Sequence, residues 1–423
     1  MIARYALPEM ARLFSDQARY TTWAQVEVLA SEAQTLLGRV PEAALADIRR
    51  AGVPDAARVA ELERDRDHEI LSFLAAYCEG MPQDSARWVH LGMTSYDLVD
   101  TALGHTLARA CDVLIDTAVG LRTVLADRAA EHWDTACIGR THGMHAEPTT
   151  FGHKLAGFAF AVDRSVHRLR AAREQVAVGT ISGSVGTYGL IDPFVEERVC
   201  GALGLGVEPA PSQVVARDRH AQLVQAIATL GACVEQIAVE VRLLSRTEVR
   251  EVEEPRSAAY QGSSAMPHKR NPTTGERLTG LARLLRGYAG TMLENVALWH
   301  ERDLSHSSVE RVVLPDAFTV AHYQVTAASD LVRGLTVFPE RMRSAIDRTG
   351  GLAYSSLVLA EQLAAGGDRE RIYRTIQDAA NDADFLGRLE AAGIATDRLT
   401  PERFLSHHDV IYKRLEKLRE LEH

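Results

Sequence analysis

A chain of 423 residues is too long for one compact core and long enough for two or three domains. Its apolar fraction of 46% and charged fraction of 25% are those of an ordinary globular protein, and a formal net charge of −10 argues against a general nucleic-acid binder. Aromatic residues make up only 6% while alanine and leucine abound, which favours helices over a β-sandwich.

The first residues, MIARYALPEMARLF, lack the apolar core and small-residue cleavage site of a signal peptide, and no apolar run is long enough to span a bilayer. A cytosolic, membrane-free protein is expected. Cys78, Cys111, Cys137, Cys200 and Cys233 are scattered and never form C-x-x-C, so reduced thiols are expected rather than disulfides or a metal site.

The first 94 residues carry short helical patterns and read as an N-terminal domain. Beyond them Val99, Leu103, Leu107, Leu114, Ala118 and Leu121 form one apolar stripe of a long helix, and residues 149–175 read the same way. Residues 178–193, VGTISGSVGTYGLIDP, are too rich in glycine, serine and threonine for a helix interior. They read as an interhelical turn and not as a dinucleotide fingerprint, because no predicted strand precedes them and no βαβ unit is expected around them. The strongest periodicity follows: Leu223, Ile227, Leu230, Val234, Ile237, Val241 and Leu244 alternate spacings of four and three along a single long helix. Residues 254–273 then place three prolines, a glycine and three serines between two helices. A connection of that length inside a bundle is more often functional than not. A third stripe is expected through Leu278, Leu281, Leu285, Tyr288, Met292, Val296 and Trp299, and residues 316–335 read as another helix. The pattern predicts an all-α fold with an N-terminal helical domain (1–94), a central long-helix bundle (95–338) and a smaller C-terminal helical domain (339–423). Seams this long also suggest association between subunits.

Within the long connection, Gly262-Ser263-Ser264-Ala265-Met266-Pro267-His268-Lys269-Arg270-Asn271-Pro272 crowds hydroxyls, basic groups and an amide between prolines. A solvated basic loop would not require that combination. A loop carrying a hydroxyl beside Lys and Asn can deliver a base while its cations hold a carboxylate. Together with HLGMTS at 90–95, GRTHGMHAEPTTFG at 139–152, ISGSVGTYG at 181–189, RDRH at 217–220 and LWHERDLSHSSVER at 298–311, this segment resembles the fumarase/aspartase superfamily over nearly the whole chain. Its SSAMPHKRNP wording is most similar to the adenylosuccinate lyase family.

The resemblance implies a β-elimination that releases fumarate from a succinylated nitrogen. Such a site needs a base, an acid, and donors that grip the dianion as its charge grows. By resemblance Ser263 is the base, supported by Lys269; His142 is the general acid, paired with Glu276; and His68 is a further active-site histidine. His142 and His145 would otherwise read as a metal pair or a helix surface, but no third or fourth ligand stands at suitable spacing. Thr94, Ser95 and Thr141 match hydroxyl donors, Asn271 a contact to the succinyl end, and Gln213 a substrate-binding amide. Arg4, Tyr5, Arg302, Ser307 and Arg311 match residues that hold a nucleotide and its phosphate. No metal, nicotinamide or flavin is implied. The expected assembly is a homotetramer whose active sites are shared between subunits and take a small anionic substrate.

Two positions depart from the pattern. The family's Arg-His-Asp is here Asp67-His68-Glu69, and Tyr96 replaces a small or polar residue after the Thr-Ser pair. Both leave the elimination machinery intact and bear on the nucleotide end. The competing expectation is therefore a specialised lyase of the same superfamily acting on another N-succinyl adduct.

Overall fold

The computed structural model describes residues 2–256 and 265–420. The chain folds almost entirely into helices. The longest are α1 (Asp16–Leu36), α2 (Ser95–Glu131), α3 (Phe151–Val176), α4 (Asp218–Leu244), α5 (Thr273–Glu294) and α6 (Ser305–Arg333). All seven residues of the Leu223–Leu244 seam are buried on α4, as a stripe of that period requires.

Two expected helices have different ends. α5 stops at Glu294, so Val296 and Trp299 fall outside it and are exposed rather than continuing the third seam. The buried Asn295 ends it, its amide donating to the backbone oxygen of His306. Conversely α6 begins at Ser305, a full three turns before residue 316, and runs through Pro315. Proline deletes one intrahelical hydrogen bond, a cost that a helix with a buried apolar face can absorb.

Tertiary contacts group the chain into two compact units: residues 1–118, 165–232 and 281–325, and residues 119–164, 233–280 and 326–423. In the first unit Tyr20 and Trp23 of α1 interlock with Phe73 and Tyr77 of the helix Glu69–Tyr77. The Trp23 and Phe73 rings meet edge to face at 5.2 Å, and those of Phe73 and Tyr77 stack at 5.7 Å. Such contacts add about 0.5–1.5 kcal/mol per pair beyond the area they bury.

A single cation organises the polar interior of this unit. Arg217, fully buried, forks onto Asp100 of α2 at 2.7 and 2.8 Å. Asp100 also accepts from the backbone N–H of Val215 at 2.9 Å, and Arg217 donates back to the Val215 carbonyl at 2.7 Å. On its other side the guanidinium meets α6: its Nε lies 3.0 Å from Glu310, a close ion pair without hydrogen-bond alignment, and its Nη2 lies 3.3 Å from His306 Nδ1. Burial alone would raise the Glu310 carboxyl, but the His306 bond and the Arg217 charge hold it down at about 2.

The glycine-rich stretch is fastened to the start of α2. Asp97 accepts from the backbone N–H groups of Ser182 and Gly183, and Thr101 exchanges hydrogen bonds with Thr180. Gly186 holds φ +76°, and a Cβ there would lie 2.1 Å from the Pro211 carbonyl, so only glycine fits. One expectation is corrected here. The short strand Val178–Gly179 pairs in parallel with Gly206–Val207 across the helix Pro193–Ala202, so a minimal βαβ unit does surround the stretch. It spans two residues per strand because the glycines turn the chain immediately.

The second unit contains a hairpin that the sequence reading missed. Residues Ala136–Thr141 pair antiparallel with Met144–Thr150. Its Ile138 is buried against Ala345 and Ile346 of the helix Pro339–Asp347 and against Tyr354. A separate small core joins Val358, Ile372, Ile376, Phe385 and Leu389.

Removing one partner from a buried ion pair strands the other charge, at a cost of about 3–5 kcal/mol. Asp100→Ala should therefore lower the thermal unfolding midpoint strongly, while Asp409→Ala, on an exposed helix end, should leave it unchanged. The Glu310 carboxyl, held at about 2 against an ordinary 4.5, contributes stability that is fully present above pH 4.5 and lost as pH falls toward 2. Unfolding of Glu310→Gln followed across pH should accordingly show a deficit against the parent at pH 7 that narrows below pH 4.5.

Candidate active site

In the first unit a cleft of about 290 Å³ gathers His68, Ser95, Arg302, Ser307 and Arg311, with Glu63, Asp67, Glu69, Tyr96 and Leu304 in its wall. Two helix starts build most of it. Ser95 opens α2, where Thr94 donates its backbone N–H to Asp97 at 2.7 Å, the returning half of a capping box. Ser307 and Arg311 lie four residues apart near the start of α6 and so share a face. Both hydroxyls therefore lie near helix N-termini, where orphan N–H groups and the helix dipole favour an anion.

The guanidinium of Arg302 lies over the ring of Tyr96, 3.7 Å from its centroid, and donates to Gln213 Oε1 at 2.8 Å. Gln213 in turn donates to the backbone of Ser184 in the glycine-rich stretch. Burial pushes the Tyr96 hydroxyl upward, against the lowering effect of its bond with Ser307 and of Arg302 and Arg217, so it stays protonated at neutral pH. Arg311 pairs with Glu69, whose other oxygen binds Arg19 at 2.6 Å. The buried Glu69 carboxylate thus has a cation on each oxygen.

His68 sits between two helices. Its Nδ1 accepts the backbone N–H of Leu71 at 3.3 Å as the N-cap of the second, which leaves Nε2 to carry the proton of the neutral ring. Asp67, before it, closes the first helix (Ala56–Arg66) with φ 51°, a left-handed conformation that aspartate tolerates better than arginine does. Local backbone geometry accordingly accounts for an acid at this departure. Arg4 and Tyr5 occupy a short 3₁₀ turn, where Tyr5 packs on Tyr323 at 5.0 Å; neither lines the cleft.

The second unit carries Thr141, His142, Lys269, Asn271 and Glu276. His142 and Gly143, at φ 54° and 79°, form the two-residue turn of the hairpin, with Thr141 paired to Met144. His142 is thus on a hairpin tip, which corrects the alternative of a helix surface shared with His145. The twist of the flanking strands demands positive φ at the turn, and the imidazole is left exposed. Arg140, at the hairpin's end, is tied to the buried Glu251 at 2.5 Å.

Lys269 and Asn271 lie in the segment leading into α5, and Glu276 lies in its first turn. Ser263 lies outside the described residues. Two adjacent carboxylates anchor both flanks of that segment. Glu253 binds Arg270 at 2.5 Å and stands 3.6 Å from Arg256, while Glu254 accepts the N–H groups of Thr274 and Gly275 at the N-terminus of α5. Gly275 makes room for that carboxylate, since a Cβ would lie 3.2 Å from its oxygen. Neither the His142 imidazole nor the Glu276 carboxylate forms an ion pair among the described residues. No cluster of three His, Cys, Asp or Glu groups suited to a metal ion occurs among those residues.

Sequence reasoning passed over Asp97, Asp100, Glu69 and Arg217 as organisers of the cleft. The RDRH segment contained Arg217, but nothing in its spacing signals burial.

A family model described as Lyase matches residues 4–287. The chain is 44% identical to an adenylosuccinate lyase of Bacillus subtilis (strain 168), over 98% of this chain and 99% of that protein. It is 47% identical to an adenylosuccinate lyase of Synechocystis sp., over 90% of this chain and 89% of that protein. Among solved structures it is similar to a 3-carboxy-cis,cis-muconate lactonizing enzyme from Pseudomonas putida, at 28% identity and a TM-score of 0.89 over 99% of this chain and 98% of that one. A fumarate lyase from Mesorhizobium sp. BNC1 is similar at 27% identity and a TM-score of 0.82, over 99% of this chain and 96% of that one. Full-length identity of this order, on the all-helical frame shared with these solved structures, shows that the chain belongs to the adenylosuccinate lyase family.

Proposed function

We propose that this protein cleaves adenylosuccinate to AMP and fumarate, and in the same way cleaves the succinylated carboxamide ribotide SAICAR to AICAR. The observation that carries the reading is the cleft of the first unit, where two guanidiniums, two hydroxyls and two helix N-termini converge. In that cleft Arg302, Ser307 and Arg311 hold the phosphate and Ser95 contacts the substrate; by family resemblance Arg4, Tyr5, Thr94, Thr141 and Gln213 add further substrate contacts. Lys269 and Asn271 grip the succinyl carboxylates.

Ser263 takes the proton from the carbon beside a carboxylate, with Lys269 stabilising its alkoxide. The electron pair delocalises as an aci-carboxylate, the carbon–nitrogen bond breaks, and His142, oriented by Glu276, protonates the departing nitrogen. His68 is a further histidine of the active site. No cofactor takes part. The sites are shared between the subunits of a homotetramer. The exposed apolar side chains Val239 and Leu243 on α4 and Leu284 and Leu293 on α5 support burial of those faces by other copies. No helix among the described residues is long and apolar enough to cross a membrane, and the enzyme acts in the cytosol on a dissolved substrate.

One observation favours a second reading. Asp67 and Glu63 line the cleft where the phosphate is placed, and acids there would suit a smaller or unphosphorylated N-succinyl adduct.

Fumarate release from adenylosuccinate, followed with its ultraviolet change, distinguishes the two. Rapid turnover at micromolar substrate is expected; failure of the folded oligomer would support the second reading. Ser263→Ala should reduce kcat by at least about a thousandfold and leave substrate binding largely intact, since it removes a transition-state role. Turnover within a few-fold of the parent would remove Ser263 from the role of base. Inactive Ser263→Ala and His142→Ala proteins, mixed and allowed to exchange subunits, should recover partial activity. No recovery after verified exchange would refute shared sites.

A further inference from the structure

Tyr96 stands where the family pattern has a small or polar residue, and no role was assigned to it. Its side chain is almost completely buried, with only 5% of the residue exposed, yet it touches the binding cleft. Three neighbours define its position. The ring meets His306 edge-on at 5.3 Å, and the Arg217 guanidinium lies 5.8 Å from its centroid, so the buried ionic knot fixes it from behind. Arg302 lies over the ring at 3.7 Å.

Arg302 has little else to hold it. Gln213 binds one Nη, and its sealed Nε has no hydrogen-bond partner. Without the ring, the guanidinium would lose the flat surface on which it rests.

We propose that Tyr96 is a positioning residue, an aromatic platform that fixes Arg302 for the anionic end of the substrate. The proposal rests on the functional reading above for the identity of that substrate. The arrangement lets a tyrosine occupy a position where a smaller side chain would leave the cation free to wander. An arginine held before the ligand arrives loses less conformational freedom on binding, so the platform acts on affinity and not on the chemical step.

The test compares the parent with Tyr96→Phe and Tyr96→Ser, each checked for an unchanged unfolding midpoint and oligomeric state. With adenylosuccinate, Tyr96→Ser should raise KM roughly tenfold with kcat within about threefold, while Tyr96→Phe, which keeps the face, should stay within about threefold in both. An unchanged KM in Tyr96→Ser, equal effects of Phe and Ser, or a fall confined to kcat would each overturn the platform. Phenylglyoxal labelling of Arg302, read by peptide mass spectrometry on ligand-free protein, needs no substrate. Faster labelling in Tyr96→Ser than in the parent and Tyr96→Phe supports the platform, and equal rates refute it. If the parent fails to cleave adenylosuccinate, the functional reading falls and the labelling still decides the role of Tyr96.

Discussion

A buried guanidinium cannot be left unpaired, and the first unit is arranged around satisfying that of Arg217. Desolvation of a cation is repaid only when the geometry of its partners is good, and here the fork onto Asp100 uses two parallel donors while Glu310 supplies the second charge. The consequence is positional. Asp100 lies in the second turn of α2 and Glu310 in the second turn of α6, so one cation registers the starts of both helices. Those starts carry Ser95 and Tyr96 on one side and Ser307 and Arg311 on the other. The Val215 hydrogen bonds add the approach to Gln213, two residues earlier. A binding cleft that must place several donors around an anion gains from being built on a knot that costs several kcal/mol to open.

Both units use one device, the anchored carboxylate that holds neighbouring chain segments in place. Asp97 holds the glycine-rich stretch against α2, Glu69 separates two arginines, and in the second unit Glu254 caps α5. Each anion satisfies backbone N–H groups or guanidiniums that burial would otherwise leave wanting. Left-handed residues mark where the chain then turns: Asp67 and His142 are both non-glycine residues with positive φ beside or within the candidate site. Such conformations cost of order 1 kcal/mol or more and persist where surrounding structure demands them.

What the sequence disclosed and what it hid divide along physical lines. The seam from Leu223 to Leu244 was legible because a helix with one buried face repeats its apolar residues at a fixed period. The third seam was over-read, since Val296 and Trp299 keep the spacing after the helix has ended, and periodicity does not register the polar Asn295 that stops it. Pro315 hid the first turns of α6 because a helix breaker outweighs weak periodicity unless packing is known. The Thr141–Met144 hairpin went unseen for a different reason: its turn is His-Gly rather than Asn-Gly, and its strands alternate poorly. At the site, the family resemblance indicated Arg302, Ser307 and Arg311, which one cleft brings together. Nothing linear indicated that Arg217 would be buried, or that Tyr96 would lie under Arg302, because both follow from contacts between segments some two hundred residues apart in sequence or more than a hundred.

The candidate groups also differ in how firmly they are held, and the difference follows their assigned tasks. Arg302 rests on the Tyr96 ring, and Ser307 and Arg311 stand in the first two turns of α6, whose Glu310 pairs with the buried Arg217. His142 stands exposed on a hairpin tip, and Lys269 is an exposed residue of the segment before α5, whose ends Glu253 and Glu254 hold. Recognition of a dianion or a phosphate requires donors fixed beforehand, since each rotamer ordered on binding subtracts from affinity. Proton transfer requires groups that meet water before the substrate arrives and lose it afterwards, which suits a tip and a segment over a packed interior. A fold of long helices supplies the first kind at its helix starts. For the second it has to interrupt itself, and the hairpin and the long connection before α5 are those interruptions.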